Sequence, residues 1–191
     1  MNDSNDYLYS SELIDYLTPA VQIKADELAR GMKSEKDLLK RIYLFVRDDI
    51  AHSNDIEADE LTASASDVLC AGHGLCYAKA HLFAALCRYH KIPCALCYQR
   101  IRSGDGIVLH GLNAVWLREE QRWARLDARG NKNGINADFS MKAEKLAYEI
   151  NASKGEEDVE GFFADTPASV ADFLTKEWAL DEARLAYPDA L

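Results

Sequence analysis

From Cys76 the chain sets Leu82, Phe83, Leu86 and Tyr89 at three- and four-residue spacing, one apolar stripe of a helix. Ile92 and Pro93 end that pattern, because the residue before a proline disfavours helical backbone. Upstream, the spacing predicts a short helix over 7–18 closed by Pro19, and a second over 20–32 with Val21, Ile23 and Leu28 apolar and Gly31 near its end. Ser34, with Asp37 three residues on, predicts a capped start for a helix over 35–50 that buries Leu38, Leu39, Ile42, Phe45 and Val46. The polar stretch 51–66 predicts a loop, and Asp67 a short turn that carries Val68 and Leu69 inward.

Downstream the period changes to that of strands. Runs at 94–102, 107–117 and 122–126 predict three strands, separated by the turns 103–106 (SGDG) and 118–121 (REEQ). A loop at 128–134, a helix at 138–150 and a solvated acidic loop around Glu156, Glu157, Asp158 and Glu160 are expected next. Thr166-Pro167 opens a last helix to about Ala183, with Val170, Phe173 and Leu174 inward. Helices dominate the first half and an antiparallel hairpin follows, an α+β layout. With no linker, repeat or low-complexity tract, the 191 residues predict a single domain.

A hydrophobic content of 48% is enough for a sizeable core, and the net charge of -10 argues against nucleic acid or an anionic membrane as partner. The polar N-terminus lacks the basic start and apolar core of a signal peptide, and no run approaches the ~20 apolar residues of a membrane span. Five cysteines without a secretion signal read as reduced thiols, so a cytoplasmic location is expected.

The Gly72–Gly74 turn places Cys76 in the first turn of its helix, where free N–H groups and the positive end of the helix dipole favour a thiolate nucleophile. Such a nucleophile needs a base, and the base an orienting group. A two-residue hairpin loop at Glu119-Glu120 makes the numbers of facing residues sum to 239, with Trp116 opposite Trp123 and Leu112 opposite Asp127. His110 then lies one diagonal step from Asp127 on the same face, while Val115, Leu117, Ala124 and Leu126 share the other. Cys76 is thereby the candidate nucleophile, His110 the acid–base and Asp127 its orienter, with the Cys76 backbone N–H as one oxyanion donor.

The segments GLCYAKAHLFAALCRYHKIPCALCY, LHGLNAVWL and RWARLDARGNKNG resemble the cysteine, histidine and aspartate motifs of the transglutaminase-like superfamily, in that order and at similar spacing. The segment IYLFVRDDIAH resembles the helix that precedes the core in bacterial members, so the likeness covers about 42–134. It implies a papain-like core, with the family's active residues falling on Cys76, His110 and Asp127, and acyl transfer through a thioester without a cofactor. Water as acceptor gives a protease or amidase, the preferred reading over amine crosslinking, with a peptide or amide as the substrate partner. Leu112 departs from the pattern, standing where the family often has an aromatic residue.

Three further residues are candidate substrate contacts: His73, Gly74 and Trp123. Two other classes compete with the enzyme. One is an interaction domain of the same fold with an idle triad. The other is a zinc module, since His73-x2-Cys76 and Cys94-x2-Cys97 (with Cys70 nearby) have ligand spacing; against it, residues 94 and 97 of one strand point to opposite faces. No metal is therefore expected, and the oligomeric state is left open.

Overall fold

The computed structural model describes residues 4–132, 134–176, 178 and 186–191. Helix α1 (Pro19–Ala29), α2 (Glu35–Leu44) and α3 (Ala65–Ala71) pack around α4 (Cys76–Tyr89), the helix that lies on the sheet. Two short strands, β1 (Ala51–His52) and β2 (His73–Gly74), pair in parallel beside the start of α4. The main sheet is antiparallel, in the order β5 (Arg122–Leu126), β4 (Gly106–Leu117), β3 (Cys94–Ser103), β6 (Glu157–Asp158). Helix α5 (Ala168–Thr175) completes the order, giving the α+β core that the sequence predicts.

Local chemistry accounts for the element ends. The Ser34 hydroxyl accepts from Asp37 N–H and caps α2. Ser64, not Asp67, caps α3, and Asp67 completes a reciprocal capping box with it. Gly72 at φ 73° closes α3 in the left-handed region, where a side chain would be strained. Leu75 then stands as N-cap of α4, so Cys76 is its first helical residue.

The stripe expected on α4 is too narrow. Every residue from Tyr77 to Arg88 is buried, because helices cover one side of α4 and the sheet covers the other. Three of those residues are polar, and each is satisfied. His81 Nδ1 lies 2.8 Å from Ala63 O and its Nε2 lies 2.9 Å from Thr166 Oγ1. The Lys79 ammonium donates to Ile50 O. Arg88 donates to Cys94 O twice (3.0 and 2.7 Å), to Tyr9 O (2.7 Å) and to Ala164 O (2.7 Å), tying the helix to β3 and to two irregular segments.

The hairpin register agrees with the predicted pairing. Trp116 pairs with Trp123 and Leu117 with Arg122, and the two indoles meet at 5.5 Å. Val115, Leu117, Ala124 and Leu126 join the main core against α4. Leu112, Ala114 and Cys97 face the other way, where Tyr7, Trp123 and Leu146 cover them.

Three expected helices are corrected. Residues 7–18 hold only a short 3-10 turn, Ser4–Tyr7. Beyond it the Ser10 and Thr18 hydroxyls donate to Ile14 O and Asp15 O, and Ser11 Oγ accepts from Ile14 N, which replaces helical bonding. The helix expected at 138–150 is an irregular strap, in which Asp138 N donates to Lys145 O and Ala143 N to Ser140 Oγ. Helix α5 stops at Thr175, where Lys176 turns to extended backbone; of the remaining predicted span, 177 and 179–183 lie outside the described residues. Glu157 and Asp158, expected in a loop, form edge strand β6 and pair with Arg100 and Arg125. Helix α2 passes into one π-helical turn, Phe45–Asp49, before Ile50.

Candidate active site

Helix α4 meets the sheet where β4 has no β5 partner, since pairing with β5 ends at Asn113–Leu126. At this open edge Gly111 N–H donates to Cys76 Sγ at 3.4 Å. A Cβ on Gly111 would lie 2.9 Å from Tyr77 Cδ1 and 3.1 Å from Tyr77 Cα, so glycine is what lets the helix and strand approach this closely. Tyr77 hydroxyl donates to Leu109 O and Asn113 Nδ2 donates to Ala80 O (3.0 Å), fixing the same seam.

One residue before Gly111, the His110 imidazole contacts Asp127 at 2.8 Å, Nε2 to Oδ2. Asp127 follows the last residue of β5, and its oxygens are also held by Arg129 N–H (3.1 Å to Oδ1) and Ala147 N–H (2.9 Å to Oδ2). Tyr43 hydroxyl donates to the Asp127 carbonyl at 2.9 Å. With Nε2 committed to Asp127, Nδ1 is the ring nitrogen left for Cys76. Tyr148, carried by the strap, sets its ring edge-on to the imidazole at 4.8 Å.

The electrostatics follow from burial and charge. Burial pulls the His110 pKa down, but the Asp127 carboxylate and the bonds to Asp127 and Cys76 outweigh it and raise it from 6.5 to about 10. Burial pushes the Asp127 pKa up, and His110 together with the two backbone N–H donors holds it below the usual carboxylate value. His110 is therefore an imidazolium facing a carboxylate through neutral pH.

A cleft of about 370 Å³ opens onto Cys76 and His110 and is also lined by His52, Arg129, Tyr148 and Tyr187. Strand β1 presents His52 opposite Gly74, two residues before Cys76. Its Nδ1 accepts from Asn54 N–H (3.3 Å), so the ring proton sits on Nε2. Burial, reinforced by Arg129, lowers the His52 pKa to about 3 and keeps the ring neutral. Beside the cleft, Arg129 and Lys132 both bond Asp55. The C-terminal segment also reaches this edge: Leu109 N–H donates to Pro188 O at 2.7 Å, and Tyr187 hydroxyl to Asn54 Oδ1 at 2.9 Å.

The structure brings Cys76, His110 and Asp127 together and does not bring His73, Gly74 or Trp123 to the cleft. His73 is buried behind it, with Nδ1 3.1 Å from Ser53 Oγ. A Cβ on Gly74 would press on Thr62 and Val68 at 3.1 Å, a packing role. Trp123 lies on the face of the sheet turned away from α4, four residues along the strand from Asp127, between Tyr7 (4.8 Å) and Phe162 (5.0 Å). The zinc arrangement does not form among the described residues, because Cys94 and Cys97 lie in clusters on opposite sheet faces. His52 and Tyr148 carried no local motif; the one available signal for His52 was its place at the end of IYLFVRDDIAH.

A buried helix with cysteine as its first residue, set against an antiparallel sheet that carries a histidine–aspartate pair, defines the papain-like class of cysteine-enzyme folds. The Transglutaminase-like superfamily matches residues 23–128, more than half of the chain, and the chain belongs to that superfamily. This supports a cysteine-dependent enzyme at the level of the family. Among solved structures, a candidate cysteine protease from Cytophaga hutchinsonii superposes with TM-score 0.55 at 18% identity, over 68% of this chain and 43% of that one. The periplasmic domain of TgpA from Pseudomonas aeruginosa gives TM-score 0.43 at 17% identity, over 58% of this chain and 42% of that one. The chain thus spans less than half the length of either. No curated protein sequence matches it. No helix among the described residues is long and apolar enough to cross a membrane.

Proposed function

We propose that the protein hydrolyses an amide, peptidic in kind, through a thioester on Cys76. The observation that carries this reading is the fully buried His110–Asp127 contact of 2.8 Å, one residue from the Gly111 N–H that touches Cys76 Sγ. In the proposed attack His110 holds the thiol proton while Cys76 Sγ attacks the carbonyl carbon. The S–C bond forms as the carbonyl π pair moves onto oxygen. The Cys76 backbone N–H, free in the first turn of α4, and His52 Nε2–H are the two donors proposed for that oxyanion. A neutral imidazole suits the role because it stabilises developing negative charge without surrendering its proton.

The C–N bond then breaks as His110 protonates the leaving amine. In the second half His110 takes a proton from water, the hydroxide attacks the thioester, and the Cys76 sulfur leaves with its electron pair. Asp127 holds the imidazole's orientation and its charge throughout. No cofactor enters these steps.

The test is turnover of a peptide and amide library by wild type against Cys76→Ala, with mass spectrometry for a Cys76 acyl adduct. Turnover and an adduct that both vanish in the variant are expected. Equal turnover by the two proteins, or acylation of another cysteine, overturns the reading. Exposed Cys70 is the proper reference thiol for labelling, because Cys87 is fully buried and would react slowly whatever Cys76 does.

A further inference from the structure

The chain carries 32 acidic and 22 basic side chains, yet among the described residues those that line the Cys76 cleft and carry charge, apart from His52 and His110, are Arg102, Arg129 and Lys132, with no Asp or Glu among them. On the far side of Tyr148 the neighbouring groove is the reverse, with Asp138, Glu144, Glu149 and Asp158 outnumbering Arg125 and Lys145. Charge is sorted across the strap, so the sign at the cleft does not follow the composition.

Local pairing does not cancel the positive side. Asp55 stands outside the lining and holds both Arg129 (2.5 and 2.8 Å) and Lys132 (2.7 Å), so two cations share one carboxylate. The Arg102 guanidinium donates to the Asp105 carbonyl (3.3 Å), while Glu156 accepts from the Arg102 backbone N–H (3.1 Å) and stands outside the lining. The His110 charge is met by Asp127 and one of the other cations by Asp55, which leaves the described lining side chains a net positive wall. In a cleft, with low-dielectric walls around it, such a field concentrates an anion. The buried Arg129 is fixed in place by its fork to Asp55, whereas Lys132 and Arg102 are exposed enough to reach a ligand.

We propose that the substrate presents a carboxylate beside the amide that Cys76 attacks, and that Lys132 and Arg102, backed by the Arg129 charge, bind it. This rests on Cys76 being the nucleophile of the cleft. A side-chain carboxylate and a chain-terminal carboxylate share the chemistry required.

The test uses three bromoacetyl probes on the intact protein: bromoacetyl-glycinamide, bromoacetyl-glycine and the α-amide of bromoacetyl-glutamate. Each alkylates a thiol by forming an S–CH2 bond as bromide leaves. Rates at Cys76 are read by mass spectrometry against exposed Cys70 in the same sample. One or both carboxylate probes are expected to react at Cys76 about tenfold faster than the neutral probe after that normalisation. The preference should shrink with added salt and collapse in Arg102→Gln/Lys132→Gln, and it should persist in Lys40→Gln, which alters exposed helix α2. The faster probe tells the terminal from the side-chain source. Equal normalised rates for all three probes, or a preference unmoved by the double substitution, overturn the proposal. Turnover plays no part in this readout, so an absence of hydrolysis would sink the enzymatic reading while leaving the carboxylate preference to stand or fall on its own.

Discussion

The two faces of the sheet are covered in different ways. Helix α4 covers one face through apolar packing, with Leu82, Phe83 and Leu86 fully buried against Val115 and Leu126 in one core. The strap and its neighbours cover the other with a smaller apolar cluster and with polar ties: Leu146 packs beside Leu112 and Trp123, Ala147 N–H donates to Asp127, and Arg125 pairs with Glu144 of the strap and Asp158 of β6. Cys76 therefore sits on the side packed by α4, and the His110 ring is held by hydrogen bonds and charge. The lesson is that the proposed nucleophile and its proposed base rest on different layers, which apolar and polar substitutions can probe apart.

The largest effect that would sharpen this contrast is expected from Asp127→Asn. Loss of the carboxylate that orients His110 should lower kcat/KM about 10³–10⁴-fold, measured on whichever amide the library identifies. A loss below tenfold would mean that the strap side does not govern the chemistry. Next is Leu86→Ala, which removes packing from the helix side. It should cost about 2–5 kcal/mol in denaturant unfolding, while the rate of Cys76 alkylation relative to Cys70 stays within about twofold of wild type. A matching fall in that rate would break the separation.

A third expectation concerns pH. His110, raised from 6.5 to about 10, adds stability that is complete below pH 6.5 and is lost as pH rises through about 10. Asp127, lowered from 3.8, adds stability above pH 3.8 that is lost as pH falls below it. The two describe one contact, so the stability gap between wild type and Asp127→Asn should plateau between about pH 4 and 6.5 and narrow above it. A gap independent of pH from 4 to 10 would remove the ion pair from the account. Lys79 opposes this trend, since burial lowers its pKa from 10.5 to about 7 and its cost is relieved as pH rises through that window. Lys79→Met should unmask a steeper alkaline loss. The smallest effect is expected from Arg125→Ala, whose partners Glu144 and Asp158 are about half exposed: about 1 kcal/mol or less in urea unfolding.

How much was legible in the residues varies by element. The cysteine helix and its hairpin were read almost to the residue, since a Gly-flanked start, a terminating Ile92-Pro93 and facing tryptophans are local signals. The same register carried His110 to Asp127, although ladder pairing stops one residue short of that aspartate. The strap failed to yield because nothing local distinguishes 138–150 from a helix; its bond to Asp127 comes from Ala147, twenty residues away. His73 and Trp123, candidate contacts in the sequence, lie away from the cleft: nearness along the chain to Cys76 and to Asp127 does not fix where a side chain packs, and His73 packs on Ser53 while Trp123 packs on Tyr7.

Composition, glycine placement and strand register were properties of the chain itself: they set where α4 begins, which strand carries the imidazole and which face holds the core. Only tertiary contact decided the rest. The raised His110, the neutral His52 and the cationic wall of the cleft arise from groups 17 to 77 positions apart that share one volume, and a pKa or a field is a property of that shared volume.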